Sequence, residues 1–304
     1  MKTKGIGITH GKAILMGEHS VVYGEPCIAI PLLSLQVKAK VEKAAIGTLN
    51  CNLYTGPIQS LPESLKNIQV AIQTSCQKCG ISFPLSVEIQ SDLPQERGMG
   101  SSAAVAGAII KAIFDLAEKP LSEETLCLFI NEAEKITHGR PSGIDAIATT
   151  HSYACYFIKE KALEILPLSL NADLIVADTG ILGNTKEAVQ WVKEHYQEKN
   201  YQEAIQKLGK LTKEAKKEIQ AANVPALGQL LTAAQKELKE IGVSHPALER
   251  LIHIANQYGA YGSKLTGGGR GGCMIALCPP EKTKIICQHL QNEAKYVWHF
   301  HLKE

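Results

Sequence analysis

The sequence predicts an α+β protein of two domains. Its 304 residues exceed the length of one typical domain, and 45% of them are hydrophobic, enough for a large core. Short apolar or alternating runs typical of strands occupy the first third, whereas residues 184–258 are rich in Lys, Glu, Ala and Leu and predict helices. We expect the boundary near residue 170, with one domain over residues 1–170 and the other over residues 171–304.

The first domain is predicted to combine strands with helices. Strands are predicted at residues 28–31, 35–41 and 85–90. A helix at residues 65–79 ends before Gly80, and a second helix, at residues 101–117, is apolar on nearly every side and should be buried. Ser122 is placed to cap a third helix that extends to about Thr137.

The second domain is predicted to begin with a buried strand at residues 173–178. The helical stretch that follows should break near Asn200 and at residues 223–225 and 244–246, where Asn, Ser and Pro interrupt it. The remaining predicted elements are a strand, glycine loop and strand over residues 262–277, a helix over residues 282–293 and a strand over residues 296–302.

Charge and hydropathy exclude several classes of protein. The chain has 32 Lys and Arg against 30 Asp and Glu, a balance that argues against nucleic acid as a partner. The N-terminus lacks the apolar segment of a signal peptide. The apolar run at residues 103–110 is far shorter than the ~20 residues needed to span a bilayer. We therefore expect a cytoplasmic protein with no membrane partner.

The nine cysteines are odd in number and irregular in spacing, which favours reduced thiols over a disulfide framework. Cys76 and Cys79 form one C-x-x-C pair, without a second pair or neighbouring histidines. A metal or redox role and ordinary helix cysteines are both open for this pair, and the missing partners favour ordinary cysteines.

A glycine-rich segment precedes the buried helix. The candidate phosphate-binding residues are Gly98, Met99, Gly100, Ser101, Ser102 and Ala103. Glycines let the backbone approach an anion closely, and a helix N-terminus supplies unpaired N–H groups and a positive dipole end. A serine cap after a flexible loop would explain the same residues. We name residues 98–103 the phosphate loop.

The same residues also match a dinucleotide fingerprint, G-x-G-x-x-A. That fingerprint requires a strand directly before the first glycine and another strand after the helix. Residues 94–97 separate the predicted strand from Gly98, and the segment after the helix predicts a second helix. A nicotinamide-binding function is therefore disfavoured.

Residues 11–19, G-K-A-I-L-M-G-E-H, superficially resemble a P-loop. The P-loop requires glycine where Ile6 stands and Ser or Thr where Ala13 stands, so Lys12 is not a P-loop lysine. Lys12, Glu18 and His19 around a glycine turn could still bind a polar substrate. The alternative is a solvated, charged turn.

Residues 134–145, E-K-I-T-H-G-R-P-S-G-I-D, carry two further acids. Glu134 and His138 are four residues apart and so share one helix face. Asp145 follows a Pro-Ser-Gly turn, where an ordered carboxylate is readily built. Glu134 could bind magnesium and Asp145 could accept a proton or steer a hydroxyl, although isolated acids are more often solvated or capping residues.

A second glycine-rich segment lies between two predicted strands. Five of the six residues 267–272 are glycine, at a high cost in backbone entropy. A hairpin needs one or two glycines, so the surplus predicts close packing against a ligand, such as nucleotide phosphates, or against another backbone. We name residues 267–272 the C-terminal glycine loop.

Together, these four segments resemble the family of galactokinase, homoserine kinase, mevalonate kinase and phosphomevalonate kinase, in the same order along the whole chain. Residues 138–145 are the most specific, because they look like the H-G-x-P-S-G-x-D pattern of the mevalonate-phosphorylating branch. The resemblance implies an N-terminal α+β domain with a left-handed βαβ crossover, a C-terminal ferredoxin-like domain, and an active site in the cleft between them.

The resemblance also implies an activity: ATP-dependent phosphorylation of the mevalonate 5-hydroxyl. Mg²⁺ would be bound by Ser102 and Glu134, and the catalytic residues would be Asp145 and Lys12. Whether Asp145 takes the proton or orients the hydroxyl stays open, because a neighbouring ammonium keeps the carboxylate ionised but weakens it as a base. The implied substrate-binding residues are Lys12, Glu18, His19, Ser142, Asp145 and Thr185.

Several alternatives remain within this resemblance. Phosphomevalonate or homoserine could be the substrate, and a catalytically dead relative is disfavoured because Lys12, Glu134 and Asp145 are all present. Family members are often dimers, so a homodimer is an expectation of the resemblance alone. Arg270 stands where these kinases often have a small or apolar residue, and it would alter the packing of the glycine loop or add a phosphate contact.

Overall fold

The computed structural model describes the chain except residues 95–96, 139–141, 160, 184 and 303–304, and except the side chains of Thr137 and His138. The described strands are β1 (Lys4–Met16), β2 (Cys27–Lys43), β3 (Thr48–Cys51), β4 (Tyr54–Pro57), β5 (Leu85–Ser91), β6 (Cys155–Phe157), β7 (Glu164–Ile165), β8 (Asp173–Asp178), β9 (Gly262–Thr266), β10 (Cys273–Cys278) and β11 (Tyr296–His301). The described helices are α1 (Lys66–Cys79), α2 (Ser101–Ala117), α3 (Glu123–His138), α4 (Ile144–Ala148), α5 (Thr185–His195), α6 (Lys199–Gln220), α7 (Val224–Glu240), α8 (Pro246–Gln257) and α9 (Pro280–Leu290).

The chain forms two compact units, each built from separate segments. The first comprises Met1–Lys12, Pro31–Pro94 and Gly100–Ser152, and the second comprises Ala13–Ile30, Gln95–Met99 and Tyr153–Glu304. Strands β1 and β2 each contribute residues to both units. The domain boundary expected near residue 170 stays a prediction.

The first unit contains a sheet whose strand order is β4-β3-β5-β2, with β1 paired to β2. Strands β3 and β5 are parallel neighbours, and the connection between them contains α1, so they form a βαβ crossover. Helices α1, α2 and α3 pack on one another, and α2 is buried along most of its length, as predicted. The left hand of the crossover stays a prediction.

Strand β1 was not predicted, and its packing against α2 explains why. A β-carbon at residue 5 would lie 2.0 Å from the carbonyl oxygen of Ala112, and one at residue 7 would lie 2.0 Å from that of Ala108. The inward positions of β1 must therefore be glycine, while Ile6 and Ile8 are exposed on the other face. This arrangement inverts the usual pattern of a half-buried strand.

Other elements differ from the predictions in their limits. The strands predicted at residues 28–31 and 35–41 are one continuous strand, β2. The break predicted near Asn200 lies earlier, so that Asn200 is in the first turn of α6. Helix α9 begins at Pro280 instead of Lys282, because proline suits the first helical position. Ser122 caps α3 as predicted, since its hydroxyl accepts a hydrogen bond from the Thr125 amide at 3.2 Å.

The second unit contains a four-stranded antiparallel sheet in the order β11-β8-β10-β9. Its strands enter the chain in the sequence β8, β9, β10 and β11, with helices α5–α8 between the first two and α9 between the last two. This is the β-α-β-β-α-β arrangement of a ferredoxin-like fold, and it confirms that prediction. Every residue of β8, β9 and β10 is buried.

The described helices include none that is long and apolar enough to cross a membrane. All nine cysteines are free thiols. Cys76 and Cys79 both lie on α1, and burial raises the pKa of the Cys76 thiol to about 11. A thiol that resists ionisation in this way is unreactive, which favours ordinary helix cysteines over a metal or redox pair.

Candidate active site

The phosphate loop leads into α2 through two glycines whose backbone is in the left-handed region. Gly98 and Gly100 have φ values of 78° and 73°, a region that glycine enters without steric cost. Gly100 is the N-cap of α2, and the Ala104 amide donates to its carbonyl oxygen at 2.9 Å. No side chain of the described residues caps this helix, so the amides of its first turn are available to an anion. Ala103 is fully buried and contributes only its backbone.

Gly100 has a second reason to be glycine, which is the proximity of Lys12. A β-carbon at residue 100 would lie 2.8 Å from Cγ2 of Thr149 and 3.0 Å from Cγ of Lys12. The lysine side chain therefore passes directly against the start of α2, where it is 3% exposed. The interpretation of Lys12 as part of a solvated turn is wrong, because the residue lies in strand β1 and is buried.

The hydroxyl of Ser102 joins the loop to α3. It donates to Oε1 of Glu134 at 2.5 Å and accepts a hydrogen bond from the Asn67 side-chain amide at 2.9 Å. Asn67 lies on α1, so side chains from three helices meet at this hydroxyl. The result is a pair of adjacent oxygen-bearing side chains, one hydroxyl and one carboxyl, at the N-terminus of α2.

The Glu134 carboxyl is strongly perturbed. It is 2% exposed, and its burial raises its pKa to about 7. The hydrogen bond from Ser102 opposes that rise, the charge of Asp145 adds to it, and the charge of Lys12 opposes it. Glu134, Asp145 and Lys12 therefore form one electrostatic cluster. With a pKa of about 7, the Glu134 carboxyl is about half protonated at pH 7, and a bound cation would favour its ionised form.

Asp145 forms an ion pair with Lys12. The Lys12 Nζ atom lies 3.0 Å from Oδ1 of Asp145, and the two side chains are 4% and 35% exposed. Asp145 lies in the first turn of α4, where Ser142 accepts a hydrogen bond from the Ile144 amide at 3.4 Å and Thr149 donates to the Asp145 carbonyl at 2.7 Å. The ammonium thus holds one edge of a carboxylate that remains partly open to a ligand.

Part of the 134–145 segment lies outside the described residues, namely residues 139–141 and the side chain of His138.

The segment after α2 bears on the dinucleotide alternative. It is the helix α3, not a strand, so the strand that the fingerprint requires in that position is missing.

In the second unit, His19 is held against the C-terminal glycine loop. Its Nε2–H donates to the carbonyl oxygen of Gly268 at 3.0 Å, which makes Nδ1 the acceptor nitrogen of the neutral ring. Burial lowers the pKa of His19 to about 4, the Gly268 carbonyl opposes this, and the charges of Lys264 and Arg270 lower it further. His19 is therefore neutral at pH 7 and has a fixed tautomer.

This burial predicts a pH dependence of stability. The folded-state pKa of His19 is about 4, whereas an unfolded histidine titrates near 6.5, so the unfolded chain binds the proton first. The free energy of unfolding should fall by about 3 kcal/mol as the pH drops from 6.5 to 4, because 2.5 units correspond to that energy. The variant His19→Asn lacks this titration and tolerates the positive φ of residue 19.

Denaturant unfolding of the wild type and His19→Asn between pH 4.5 and 7.5 tests this prediction. The wild type should be the more stable protein at pH 7.5, and the difference should shrink on acidification. Parallel pH profiles for the two proteins would contradict it.

Glu18 forms a buried ion pair with Lys264 of β9. The lysine side chain is 0% exposed and the glutamate side chain 1%, and Lys264 Nζ also donates to the Leu265 carbonyl at 2.7 Å. Burial lowers the pKa of Lys264, while the Glu18 carboxylate raises it. The carboxylate of Glu18 is thus committed to a contact within its own unit.

The C-terminal glycine loop packs against other backbone segments. A β-carbon at residue 267 would lie 2.7 Å from Cα of Gly98, and one at residue 268 would lie 2.7 Å from both Cα and Oγ1 of Thr185. The surplus of glycine is therefore explained by close contact with Gly98 and with Thr185 at the start of α5. Of the two interpretations of this loop, packing against another backbone is the one that the contacts support.

The Arg270 side chain contacts a tryptophan ring and a carbonyl group of the second unit. Its guanidinium carbon lies 4.6 Å from the centre of the Trp191 ring, and its Nε donates to the Gly242 carbonyl at 3.3 Å. Its own amide donates to the Val243 carbonyl at 2.7 Å. The arginine therefore joins the glycine loop to α5 and to residues 242–243, which follow α7, through a cation–π contact and two hydrogen bonds.

The predicted residues form two groups, one in each unit. Those in the first unit are Lys12, Gly100, Ser101, Ser102, Ala103, Glu134, Ser142 and Asp145, and those in the second are Glu18, His19, Gly98, Met99 and Thr185. Within the second unit, His19 and Thr185 both meet Gly268. Four further residues with contacts at these groups have no role in the predictions from sequence: Asn67, Lys264, Arg97 and Asp178. Lys264 could have been noticed, because a lysine that is buried within a predicted strand has to be paired.

Two family models match the chain: GHMP kinases N terminal domain over residues 66–153, and GHMP kinases C terminal over residues 215–295. The mevalonate kinase of Pyrococcus abyssi (strain GE5 / Orsay) is 32% identical over 299 residues, which cover 90% of this chain and 88% of that protein. The mevalonate kinase of Aeropyrum pernix is 30% identical, with coverage of 88% and 86%.

Solved structures agree with these matches. The structure of L. major mevalonate kinase in complex with R-mevalonate matches with a TM-score of 0.85 at 26% identity, covering 98% of this chain and 96% of that one. Mevalonate kinase from methicillin-resistant Staphylococcus aureus MRSA252 matches with a TM-score of 0.76 at 31% identity, covering all of both chains.

Proposed function

The chain belongs to the GHMP kinase family, and from that premise we propose that it transfers the γ-phosphoryl group of ATP to the 5-hydroxyl of mevalonate. It is an ATP-dependent small-molecule kinase, as its family membership shows. Mevalonate as the acceptor is supported by relatives at 30–32% identity that bear the name mevalonate kinase and align with nearly the whole chain.

The first unit supplies a set of groups suited to phosphoryl transfer, which depends on positioning and charge neutralisation. We assign the amides at the start of α2 to the phosphate groups of ATP. The Asp145 carboxylate accepts a hydrogen bond from the substrate hydroxyl, orients it and receives its proton as the new O–P bond forms. The Lys12 ammonium, 3.0 Å from that carboxylate, stabilises the negative charge that develops on the attacking oxygen.

Ser102 and Glu134 fit a Mg²⁺ ion. Mg²⁺ prefers hard oxygen ligands and is usually held by one or two carboxylates together with substrate phosphates and water. The Ser102 hydroxyl and the Glu134 carboxyl are adjacent oxygens, and a nearby cation would favour the ionised form of this carboxyl, whose pKa burial raises to about 7. The ion would neutralise phosphate charge, which is the chemistry that this reaction needs from a metal. No described group of three or more His, Cys, Asp or Glu is arranged to hold a metal by itself.

Glu18, His19, Ser142 and Thr185 stay proposed substrate contacts. Ser142 precedes Asp145 by three residues in the same turn, which supports its assignment. The Glu18 carboxylate is engaged by Lys264, so we assign it a supporting role beside the neutral His19. A homodimer and a cytoplasmic location are further proposals that rest on the family alone.

The observation that carries the proposal is the contact between Lys12 and Asp145 beside the glycine entry of α2. An assay of ADP release with mevalonate, phosphomevalonate, homoserine and galactose tests it. We expect turnover with mevalonate and not with the other three acceptors. Turnover with phosphomevalonate or homoserine in place of mevalonate would refute the substrate while leaving the kinase assignment intact.

Substitution of the proposed metal ligand gives a second test. In Glu134→Gln, the Mg²⁺ concentration for half-maximal activity should rise about 10–100-fold, because a neutral amide binds a hard cation poorly. The matched control is Glu132→Gln on the same helix, where Glu132 pairs with the exposed Lys135 at 2.6 Å. A Mg²⁺ titration of both variants is the measurement, and an unchanged curve for Glu134→Gln would count against the assignment.

A further inference from the structure

Arg97, the residue directly before the phosphate loop, makes a buried connection within the second unit. The residue is 6% exposed, and its Nε donates to Oδ2 of Asp178 at 3.1 Å. Its Nη2 donates to the Gly180 carbonyl at 3.1 Å. Asp178 is fully buried at the end of β8, and its other oxygen accepts a hydrogen bond from the Gly180 amide at 2.9 Å. The arginine side chain is therefore hydrogen-bonded to the end of β8 and to the turn that follows it.

The backbone around Arg97 is held as closely as its side chain. A β-carbon at residue 272 would lie 3.0 Å from the Arg97 carbonyl oxygen, and one at residue 98 would lie 2.9 Å from the Thr266 carbonyl oxygen. The Gly272 carbonyl in turn accepts hydrogen bonds from the amide and the hydroxyl of Thr179, at 3.0 and 2.8 Å. The C-terminal glycine loop is thus hydrogen-bonded to Thr179 through Gly272. Gly98, the first residue of the phosphate loop, is connected to Asp178 and Gly180 through the neighbouring Arg97.

The energetics indicate that this pair is not there for stability. Burial of two charges is costly, and replacement of a buried ion pair by neutral groups is often neutral or stabilising. The Arg97 guanidinium also leaves Nη1 buried with no hydrogen-bond partner among the described residues, which adds a desolvation cost. A planar guanidinium that donates to a carboxylate and to a carbonyl does, however, fix the orientation of the attached backbone more narrowly than a flexible side chain would.

We propose that Arg97 is a positioning residue, which fixes Gly98 and Met99 so that the phosphate loop is preorganised for ATP. This inference rests on the proposed role of the loop in binding the nucleotide phosphates. Arg97 acts through the loop and not by contact with the reacting atoms. Loss of the guanidinium should therefore weaken ATP binding and leave mevalonate binding nearly unchanged.

The experiment compares Arg97→Met, the double variant Arg97→Met with Asp178→Asn, and Arg97→Lys. The dissociation constant for MgATP is measured calorimetrically without mevalonate, amide hydrogen exchange is followed in the peptide containing residues 98–103, and KM is determined for both substrates. The matched control is Arg250→Met, which removes an exposed arginine 4.0 Å from Glu293 in the same unit.

We expect Arg97→Met to weaken MgATP binding about tenfold or more, to speed amide exchange in the loop, and to change the mevalonate KM by less than about twofold. The double variant removes the charge that Arg97→Met leaves buried, while the new asparagine side-chain oxygen can still accept the hydrogen bond from the Gly180 amide. Its unfolding midpoint should therefore return toward wild type. Its MgATP affinity should stay low. Arg97→Lys keeps the charge and should recover binding only in part.

Recovery of MgATP affinity in the double variant would overturn the proposal, since it would show that the uncompensated Asp178 charge caused the loss. Unchanged loop exchange in a folded Arg97→Met protein would also overturn it. If Arg97→Met does not fold, the double variant and Arg97→Lys decide the question. None of these binding and exchange measurements depends on mevalonate being the acceptor, so a failure of the proposed substrate remains distinguishable.

Discussion

Asp145→Asn is expected to reduce kcat by about 10²–10⁴-fold or more while the protein stays folded, because general acid–base and orienting groups typically contribute that much. Asparagine has nearly the same shape, and its Oδ1 can still accept a hydrogen bond from Lys12, as the carboxylate does at 3.0 Å. It carries no charge and cannot take a proton from the acceptor hydroxyl. In this variant the Lys12 ammonium is still close enough to Glu134 to lower the pKa of the Glu134 carboxyl. The lysine charge therefore keeps an acidic neighbour.

The measurements are steady-state kinetics with mevalonate and thermal unfolding. The unfolding midpoint should stay within about 5 °C of the wild type, since a change of 1 kcal/mol shifts it by a few degrees in a chain of this size. The control is Asp115→Asn, which removes another aspartate of the same unit, paired with Lys2 at 2.5 Å near the surface. Near-normal turnover of a folded Asp145→Asn protein would refute the catalytic assignment, and a loss shared with Asp115→Asn would point to a general defect.

The local motifs of the proposed catalytic cluster are visible in the sequence, because each depends on a short stretch of chain. Glycines before a buried helix indicate an anion site, and a Pro-Ser-Gly turn presents Asp145. The residues alone could not show that Lys12 reaches Asp145, since the two lie far apart in the chain. The resemblance to a family supplied that pairing as an expectation, and the structure places the two side chains 3.0 Å apart.

Strand β1 shows where pattern analysis fails. Alternation normally places apolar side chains on the buried face. In β1, the buried positions hold Gly5 and Gly7, because the backbone of α2 occupies the space that side chains would need. The isoleucines then fall on the exposed face, and the segment gives the signal of a loop. Packing against α2 determines that this segment is a strand, and the periodicity of the sequence does not reveal that packing.

Buried charges form the other class of missed features. The Arg97–Asp178 pair joins residues 81 apart, and the Glu18–Lys264 pair joins residues 246 apart. A charged residue in a sequence is usually solvated, so each of these was unremarkable until its surroundings were known. Among these four residues, Lys264 alone carried a local signal, since it lies in a short predicted strand that leads into a glycine-rich segment.

The Lys264 pair leads to the second large expected effect. Lys264→Met should lower the free energy of unfolding by about 3–5 kcal/mol, because it removes the ammonium that neutralises the buried Glu18 carboxylate. Both side chains are almost completely excluded from water, so solvent screening does not reduce this cost. The contrasting control is Lys239→Met in the same unit, where Lys239 is 64% exposed and lies 3.3 Å from Glu249. That exposed pair should contribute less than about 1 kcal/mol.

A double-mutant cycle with Glu18→Gln separates the charge effect from the loss of packing. If the cost of Lys264→Met arises from the Glu18 charge, then Glu18→Gln in the Lys264→Met background should restore part of the stability, with a coupling energy of about 2 kcal/mol or more. Urea unfolding of the four proteins at pH 7 measures it. Additive effects of the two substitutions would contradict the electrostatic account, and they would assign the loss to the packing of the lysine stem and to its hydrogen bond with the Leu265 carbonyl.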